Sequence, residues 1–296
     1  MRQGGNPAAE IMKSQPELIN LFWSNAGIYP GTGEISPFDF EVRVKSAAEA
    51  GFKGIGIWHT DLEHTLVRRT LKEMKAILDD NGIKYLELEF LTDWFVGGQR
   101  KTESDGRKKR LLEASAALGA HHVKVGDFYN TPIIMPRLID SFAALCADAQ
   151  QFGARIGFEF MASAMLPNLR DALAMIHGAG AKNGGVIVDI VHVVNLGISF
   201  DEISRIPLPH LVSVELNDGY APSDSRYDSS GQRKYCGEGG FDIKGFIAAV
   251  RKTGYPGPWA VEVFAHDLTG LSQDELNRRA FQTTLQQFEP RGLRAE

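Results

Sequence analysis

Cysteine is almost missing from this chain: its 296 residues include only Cys146 and Cys236. That allows at most one disulfide and no zinc-type cysteine pairing. Cys146 sits in an apolar helical run and reads as packing, while Cys236 lies in a loop and reads as incidental. Long apolar runs are missing too; none reaches the about 18 residues a membrane span needs. There is no basic excess, since 32 Lys and Arg stand against 37 Asp and Glu for a formal net charge of -5. A generic nucleic-acid binder would carry a basic footprint instead. No glycine-rich dinucleotide fingerprint follows the first strand. Gly31-Thr32-Gly33 lacks the third glycine and reads as a turn. No compact phosphate cradle is visible, so a phosphorylated substrate is not favoured. Residues 1–16 have no apolar signal core and are expected to be a lead-in before the fold, with 290–296 a tail. These absences lead to the expectation of a cytoplasmic protein with neither membrane nor nucleic acid as partner. They leave open whether identical chains assemble.

What is present is a regular alternation. Residues 18–23, 54–59, 84–90, 121–128, 155–160, 185–192, 211–217 and 259–264 read as short apolar strands. Between and after them, 38–50, 65–80, 104–118, 136–152, 168–177, 200–205, 241–253 and 273–288 read as helices, several closed by Gly or Pro. About eight strand–helix units in one chain of this length predict a single-domain α/β fold, a (β/α)8 barrel over residues 17–289. Repeated βα units demand a parallel sheet with right-handed crossovers. An open doubly wound sheet is the competing arrangement, and it lacks its fingerprint here.

Several strands end in acids. Glu159, Asp189, Glu215 and Glu262 each sit between apolar neighbours near a strand end. Side chains alternate along a strand, so those neighbours can face the helices while the acid points inward. Four inward carboxylates at adjacent strand ends would repel one another strongly unless a cation lay among them. Oxygen donors suit Mg²⁺ or Mn²⁺, with Co²⁺ or Zn²⁺ admissible if a histidine joins. His192 lies three residues after Asp189 and is a candidate substrate contact. Lys124 has inward parity on the fourth strand, and Glu87 and Glu89 have it on the third. Lys124 therefore either offsets the acidic excess and meets substrate, or forms a structural ion pair with one of those two glutamates. His59, Trp23, Trp58 and Trp94 are candidates for a wall against a sugar, with core packing as the alternative for each.

At these residues the sequence resembles the xylose-isomerase-like barrel superfamily, which includes ketose 3-epimerases, inosose isomerases and dehydratases, hydroxypyruvate isomerase, 3-dehydroshikimate dehydratase and endonuclease IV. The resemblance covers about residues 17–289. It rests on Glu159, on Asp189-Ile190-Val191-His192, on Asn217-Asp218, on Cys236-Gly237-Glu238-Gly239-Gly240-Phe241-Asp242 and on Glu262. It implies that Glu159, Asp189, Glu215 and Glu262 bind the metal, and that Glu159 and Glu262 double as acid and base. One position departs from the pattern: Glu215 stands where the family carries a seventh-strand histidine, or glutamine in the dehydroshikimate dehydratases. The site is thereby more acidic, which gives Lys124 a reason to be there.

The expected activity is a metal-dependent isomerase or epimerase of a keto-sugar or related polyol, working by removal of a proton beside a polarised carbonyl. A lyase of the same kind, acting on a keto-cyclitol, 3-keto-sugar or 3-dehydroshikimate, is the second expectation. A non-catalytic sugar-binding barrel is the third. The loop 219–240 is long and polar, and is expected to close over substrate with Arg226 or Arg233 touching it.

Overall fold

The computed structural model describes residues 15–228 and 232–289, so the expected lead-in up to residue 14 and the tail 290–296 lie outside the described residues. Eight parallel strands close on themselves in chain order. They are β1 (Leu18–Leu21), β2 (Gly54–Trp58), β3 (Tyr85–Leu91), β4 (His122–Val125), β5 (Ile156–Glu159), β6 (Gly184–Asp189), β7 (Leu211–Leu216) and β8 (Trp259–Val261). Closure is made by β1 on β8, with Leu18 opposite Trp259. The expected (β/α)8 barrel is what forms.

The helices sit between strands: α1 (Phe40–Ala50), α2 (His59–Leu66), α3 (Leu71–Asp80), α4 (Gly98–Leu118), α5 (Met135–Gln150), α6 (Leu169–Ala179), α7 (Ile190–Asn195), α8 (Phe200–Ile203), α9 (Ile243–Lys252) and α10 (Gln273–Leu285). Local chemistry sets their ends. Asp39 caps α1 by accepting from the Glu41 N–H, and Gly51 at φ 115° stops it in a conformation glycine adopts without strain. The expected helix 65–80 is two helices, because Thr70 and Glu73 form a reciprocal capping box that starts α3 afresh. The helix expected from 104 begins at Gly98; its first turns are polar all round, so no apolar periodicity marks them. The strand expected over 185–192 ends at Asp189, whose carboxylate accepts from the Val191 N–H and caps α7. His192 is therefore a helical residue.

The main core lies between barrel and helices. It takes up the apolar neighbours of every acid: Phe158 and Phe160, Val188 and Ile190, Val214 and Leu216, Val261 and Val263, together with Val123 and Val125 beside Lys124. Cys236 joins this core rather than lying loose in its loop, and both cysteines are free thiols. Trp94 also belongs here, with its ring centroid 5.8 Å from that of Phe142, and so packs the core. No helix of the described residues is long and apolar enough to cross a membrane.

With the apolar side chains facing outward, the strands are left to fill the barrel with what remains, and much of that is polar. Residues two apart on a strand occupy successive layers. One layer holds Glu87, His122 and Ser213, in which the Ser213 hydroxyl donates to Glu87 Oε1 at 2.8 Å. The next holds Glu89, Lys124 and Glu215, all buried. Above it, the strand ends open into a cavity.

Candidate metal centre and active site

The four acids come from consecutive strands, β5 to β8. Register places Asp189 directly beside Glu215, while Glu159 ends β5 and Glu262 follows the last residue of β8. Each of the four offers one oxygen, and these oxygens all lie within 4.8 Å of one another. All four residues are buried. Glu215 Oε2 has no hydrogen-bond partner among the described residues, although Glu215 is fully enclosed. An unpartnered buried carboxylate oxygen on a member of this set fits a hard divalent cation. Neighbours already orient part of the set: the Asn217 side-chain amide donates to Asp189 Oδ1 at 2.8 Å.

Two cations, the buried Lys124 and the half-buried Arg233, meet this acidity. Lys124 Nζ lies 2.6 Å from Glu215 Oε1, 2.9 Å from Glu89 Oε2, 3.4 Å from Glu262 Oε1 and 3.7 Å from Glu159 Oε2. Arg233 Nη2 lies 3.1 Å from Asp189 Oδ2 and 3.0 Å from Glu262 Oε2. The environments diverge accordingly. Burial alone would raise the Glu262 carboxyl, but Arg233 and then Lys124 bring it down to about 2. Burial works against a charged Lys124 as well, yet Glu159, Glu215, Glu262 and Glu89 outweigh it and hold the ammonium well above its ordinary range. Burial pushes Glu215 well up, with Lys124 opposing. Glu87 and Glu89 are pushed to about 7, again by burial against Lys124. Glu159 is lowered: burial is outweighed by Lys124 and by the hydrogen bond from His192, whose Nε2 stands 3.3 Å from Glu159 Oε1.

A cavity of about 520 Å³ lies over this floor, a size ordinary for a small-molecule site. Glu89, Glu159, His192, Arg233 and Glu262 reach it, and so do Trp23 and Trp58. The aromatic wall extends further than the tryptophans. Trp23 stands 4.9 Å from Trp58 and 5.1 Å from Phe264, and Phe90 stacks on Trp58 at 5.7 Å and on Phe128 at 4.6 Å, centroid to centroid. Phe90, Phe128, Phe264 and Glu34 were not singled out from the sequence. Phe90 and Phe264 each lie one or two residues beyond an inward glutamate, a spacing that could have flagged them. Phe128 lies beyond the end of β4 at Val125, in a loop that the sequence reads as strand through residue 128.

Three expected contacts are placed differently. Lys124 is fully buried beneath the carboxylates and does not line the cavity. His59 starts α2 with its ring centroid 5.1 Å from that of Trp58, and is not part of the lining. Arg226 pairs with Asp224 at 2.7 Å and covers the Tyr220 ring at 4.0 Å, out at a neighbouring surface cavity. Of the loop's arginines, Arg233 enters the site. Its stretch is anchored by Asp218, whose carboxylate accepts the N–H groups of Gly219, Gly237, Gly239 and Phe241 at 2.8–3.0 Å. The Asp218 and Lys234 backbones pair as an antiparallel bridge. Residues 229–231 of the expected lid lie outside the described residues.

Comparison with known proteins supports the barrel family. Residues 44–286 match the family model of the xylose isomerase-like TIM barrel. A 3-dehydroshikimate dehydratase of Pseudomonas aeruginosa is 29% identical over 231 residues, 75% of this chain and 36% of its own length. The chain thus spans about a third of the curated dehydratase it matches. An inosose isomerase of Halalkalibacterium halodurans is 20% identical over 241 residues, 76% of this chain and 82% of its own. The crystal structure of the IolI protein with a bound zinc atom superposes with a TM-score of 0.80 at 17% identity, over 92% of this chain and 98% of that one. At that identity the likeness is one of fold.

Proposed function

The chain belongs to the xylose isomerase-like TIM-barrel family, and on that premise we propose that it removes the proton beside the carbonyl of a cyclic keto-polyol, with loss of a β-hydroxyl as the outcome. The observation that carries this reading is the unlike treatment of Glu159 and Glu262. Glu159 pairs at the cavity with His192, a group able to pass a proton on, at 3.3 Å. Glu262 is clamped between Arg233 and Lys124 and held to about 2. With Oε1 3.4 Å from Lys124 Nζ and Oε2 3.0 Å from Arg233 Nη2, both Glu262 oxygens are engaged by cations, which makes it a poor proton carrier. Epimerisation needs proton carriers on both faces of the substrate, and this pair supports one.

Held by Glu159, Asp189, Glu215 and Glu262, a divalent ion would polarise the substrate carbonyl and acidify the neighbouring C–H. Glu159 takes that proton. His192 then shares it, and can return it to the departing β-hydroxyl. The C–H and β C–O bonds break, a C=C bond conjugated with the carbonyl forms, and proton and hydroxide leave as water. Arg233 holds Asp189 and Glu262 in place and opposes the burial that raises the Asp189 carboxyl. The wall made by Trp23, Trp58, Phe90, Phe128 and Phe264 offers an apolar surface to a ring and sheds water from it.

Isomerisation by return of the same proton to the adjacent carbon, on the same face, is the second reading. One-sided Glu159–His192 chemistry serves it equally, and the inosose isomerase relative supports it. The test is a panel of inososes, 3-keto-sugars, 3-dehydroshikimate and ketohexoses with Mn²⁺ or Mg²⁺, followed by NMR in D₂O and by ultraviolet absorbance. Water loss with a new conjugated carbonyl band is expected for a cyclic ketone. Epimers without dehydration would overturn the one-face argument. No turnover and no deuterium uptake with any member would leave the non-catalytic sugar-binding barrel.

A further inference from the structure

The chemistry above gives Lys124 no contact with substrate, yet four carboxylates converge on it. Three of them, Glu159, Glu215 and Glu262, belong to the set whose oxygens lie within 4.8 Å of one another. The fourth, Glu89, lies outside that set, 2.9 Å from the ammonium. Lys124 is wholly enclosed on β4, and Glu215, which it approaches most closely, is equally enclosed. A monovalent cation is thus already built among the oxygens a divalent ion would take.

Resting on the metal reading above, we propose that Lys124 is an intramolecular competitor of the metal: it holds the acids together in the metal-free protein and gives up Glu215 for Glu89 when a divalent ion binds. Two cations a few ångströms apart in a buried setting repel strongly even at a generous effective dielectric. Metal binding is then an exchange of cations. Without a resident cation, four buried carboxylates would have to protonate or move apart. With it, the barrel keeps its acids assembled while empty, at the cost of metal affinity. The lysine needs somewhere to withdraw to, and Glu89 supplies it on the neighbouring strand.

The experiment is titration of metal-free protein with Mn²⁺, read by loss of the free-ion EPR signal, alongside thermal unfolding with EDTA and with Mn²⁺. Wild type is expected to bind, with a melting temperature that EDTA changes little. Lys124→Met is expected to bind Mn²⁺ at least about tenfold more tightly, and to depend on Mn²⁺ for its thermal stability. Glu89→Gln is expected to bind several-fold more weakly, and to lose that effect in the Lys124→Met background. The last comparison separates withdrawal of Lys124 from general loss of negative charge, which would weaken both backgrounds alike. Equal or weaker binding by Lys124→Met, with wild type still binding, overturns the competition and leaves the metal reading standing. Wild type and Lys124→Met both failing to bind Mn²⁺, Mg²⁺ or Zn²⁺ overturns the metal reading itself. If Lys124→Met does not fold, Lys124→Gln takes its place in each comparison: tighter Mn²⁺ binding than wild type supports the proposal, and equal or weaker binding refutes it.

Discussion

Replacing Arg233 by methionine removes one of the two cations that hold the acids at the cavity. The guanidinium bridges Asp189 at 3.1 Å and Glu262 at 3.0 Å, and its side chain is only 14% exposed. Methionine approximates its stem while leaving two enclosed carboxylates without that partner. Breaking a buried pair from one side costs about 3–5 kcal/mol. At about 2–3 °C per kcal/mol for a chain of this size, the melting temperature in EDTA should fall by about 6–15 °C. Calorimetry at pH 7 reads it directly. Adding Glu262→Gln to the variant removes one of the stranded charges and should restore part of the loss, a coupling that a double-mutant cycle isolates. Mn²⁺ should narrow the gap between wild type and Arg233→Met, since it supplies the missing charge. A melting temperature within about 2 °C of wild type in EDTA would show that Arg233 does not hold these carboxylates, and with that the argument for an inert Glu262 fails.

Two further outcomes follow from burial. Desolvation, with Arg107 adding to it, brings His59 down to about 4 from its ordinary 6.5. Between those two pH values the unfolded chain binds a proton that the fold refuses, so His59 makes stability fall as pH drops through that window, by up to about 3 kcal/mol. Glu87 and Glu89, raised to about 7, act in the opposite sense as pH falls from 7. Urea denaturation of wild type against His59→Gln isolates the histidine, and identical pH profiles would refute the assignment. Burial also pushes both thiols, Cys146 and Cys236, up to about 12. Ellman's reagent at pH 8 should therefore label neither in the native protein and both in denaturant; rapid native labelling of Cys236 would show its loop open.

The barrel was legible because its signal is periodic. Strands flanked by Val, Ile and Phe on one face leave only one inward face, so parity alone placed Glu159, Asp189, Glu215, Lys124, Glu87 and Glu89 inside. The α2/α3 break was not legible, since the Thr70–Glu73 box falls within a continuous amphipathic pattern. The end of β6 was misplaced for a related reason: Ile190, Val191 and Val193 continue the apolar run, and only the Asp189 cap turns it into a helix. The site's finer chemistry depends on long-range partners. Arg233 stands 44 residues from Asp189 and enters the cavity because Asp218 gathers the loop's N–H groups. Arg226, a few residues away with the same side chain, is held outside by Asp224. Sequence spacing does not distinguish the two arginines; the hydrogen bonds of their backbone neighbours do. Lys124 had the right direction but the wrong depth, because strand register, not parity, sets the layer.

The most direct test of the acidic centre is anomalous diffraction from crystals grown with Mn²⁺. We expect one strong peak at the strand ends of β5 to β8, about 2.0–2.3 Å from oxygens of Glu159, Asp189, Glu215 and Glu262, with Lys124 Nζ moved off Glu215 toward Glu89. A map without a peak there at saturating Mn²⁺, with Lys124 still seated on Glu215, would contradict the metal centre.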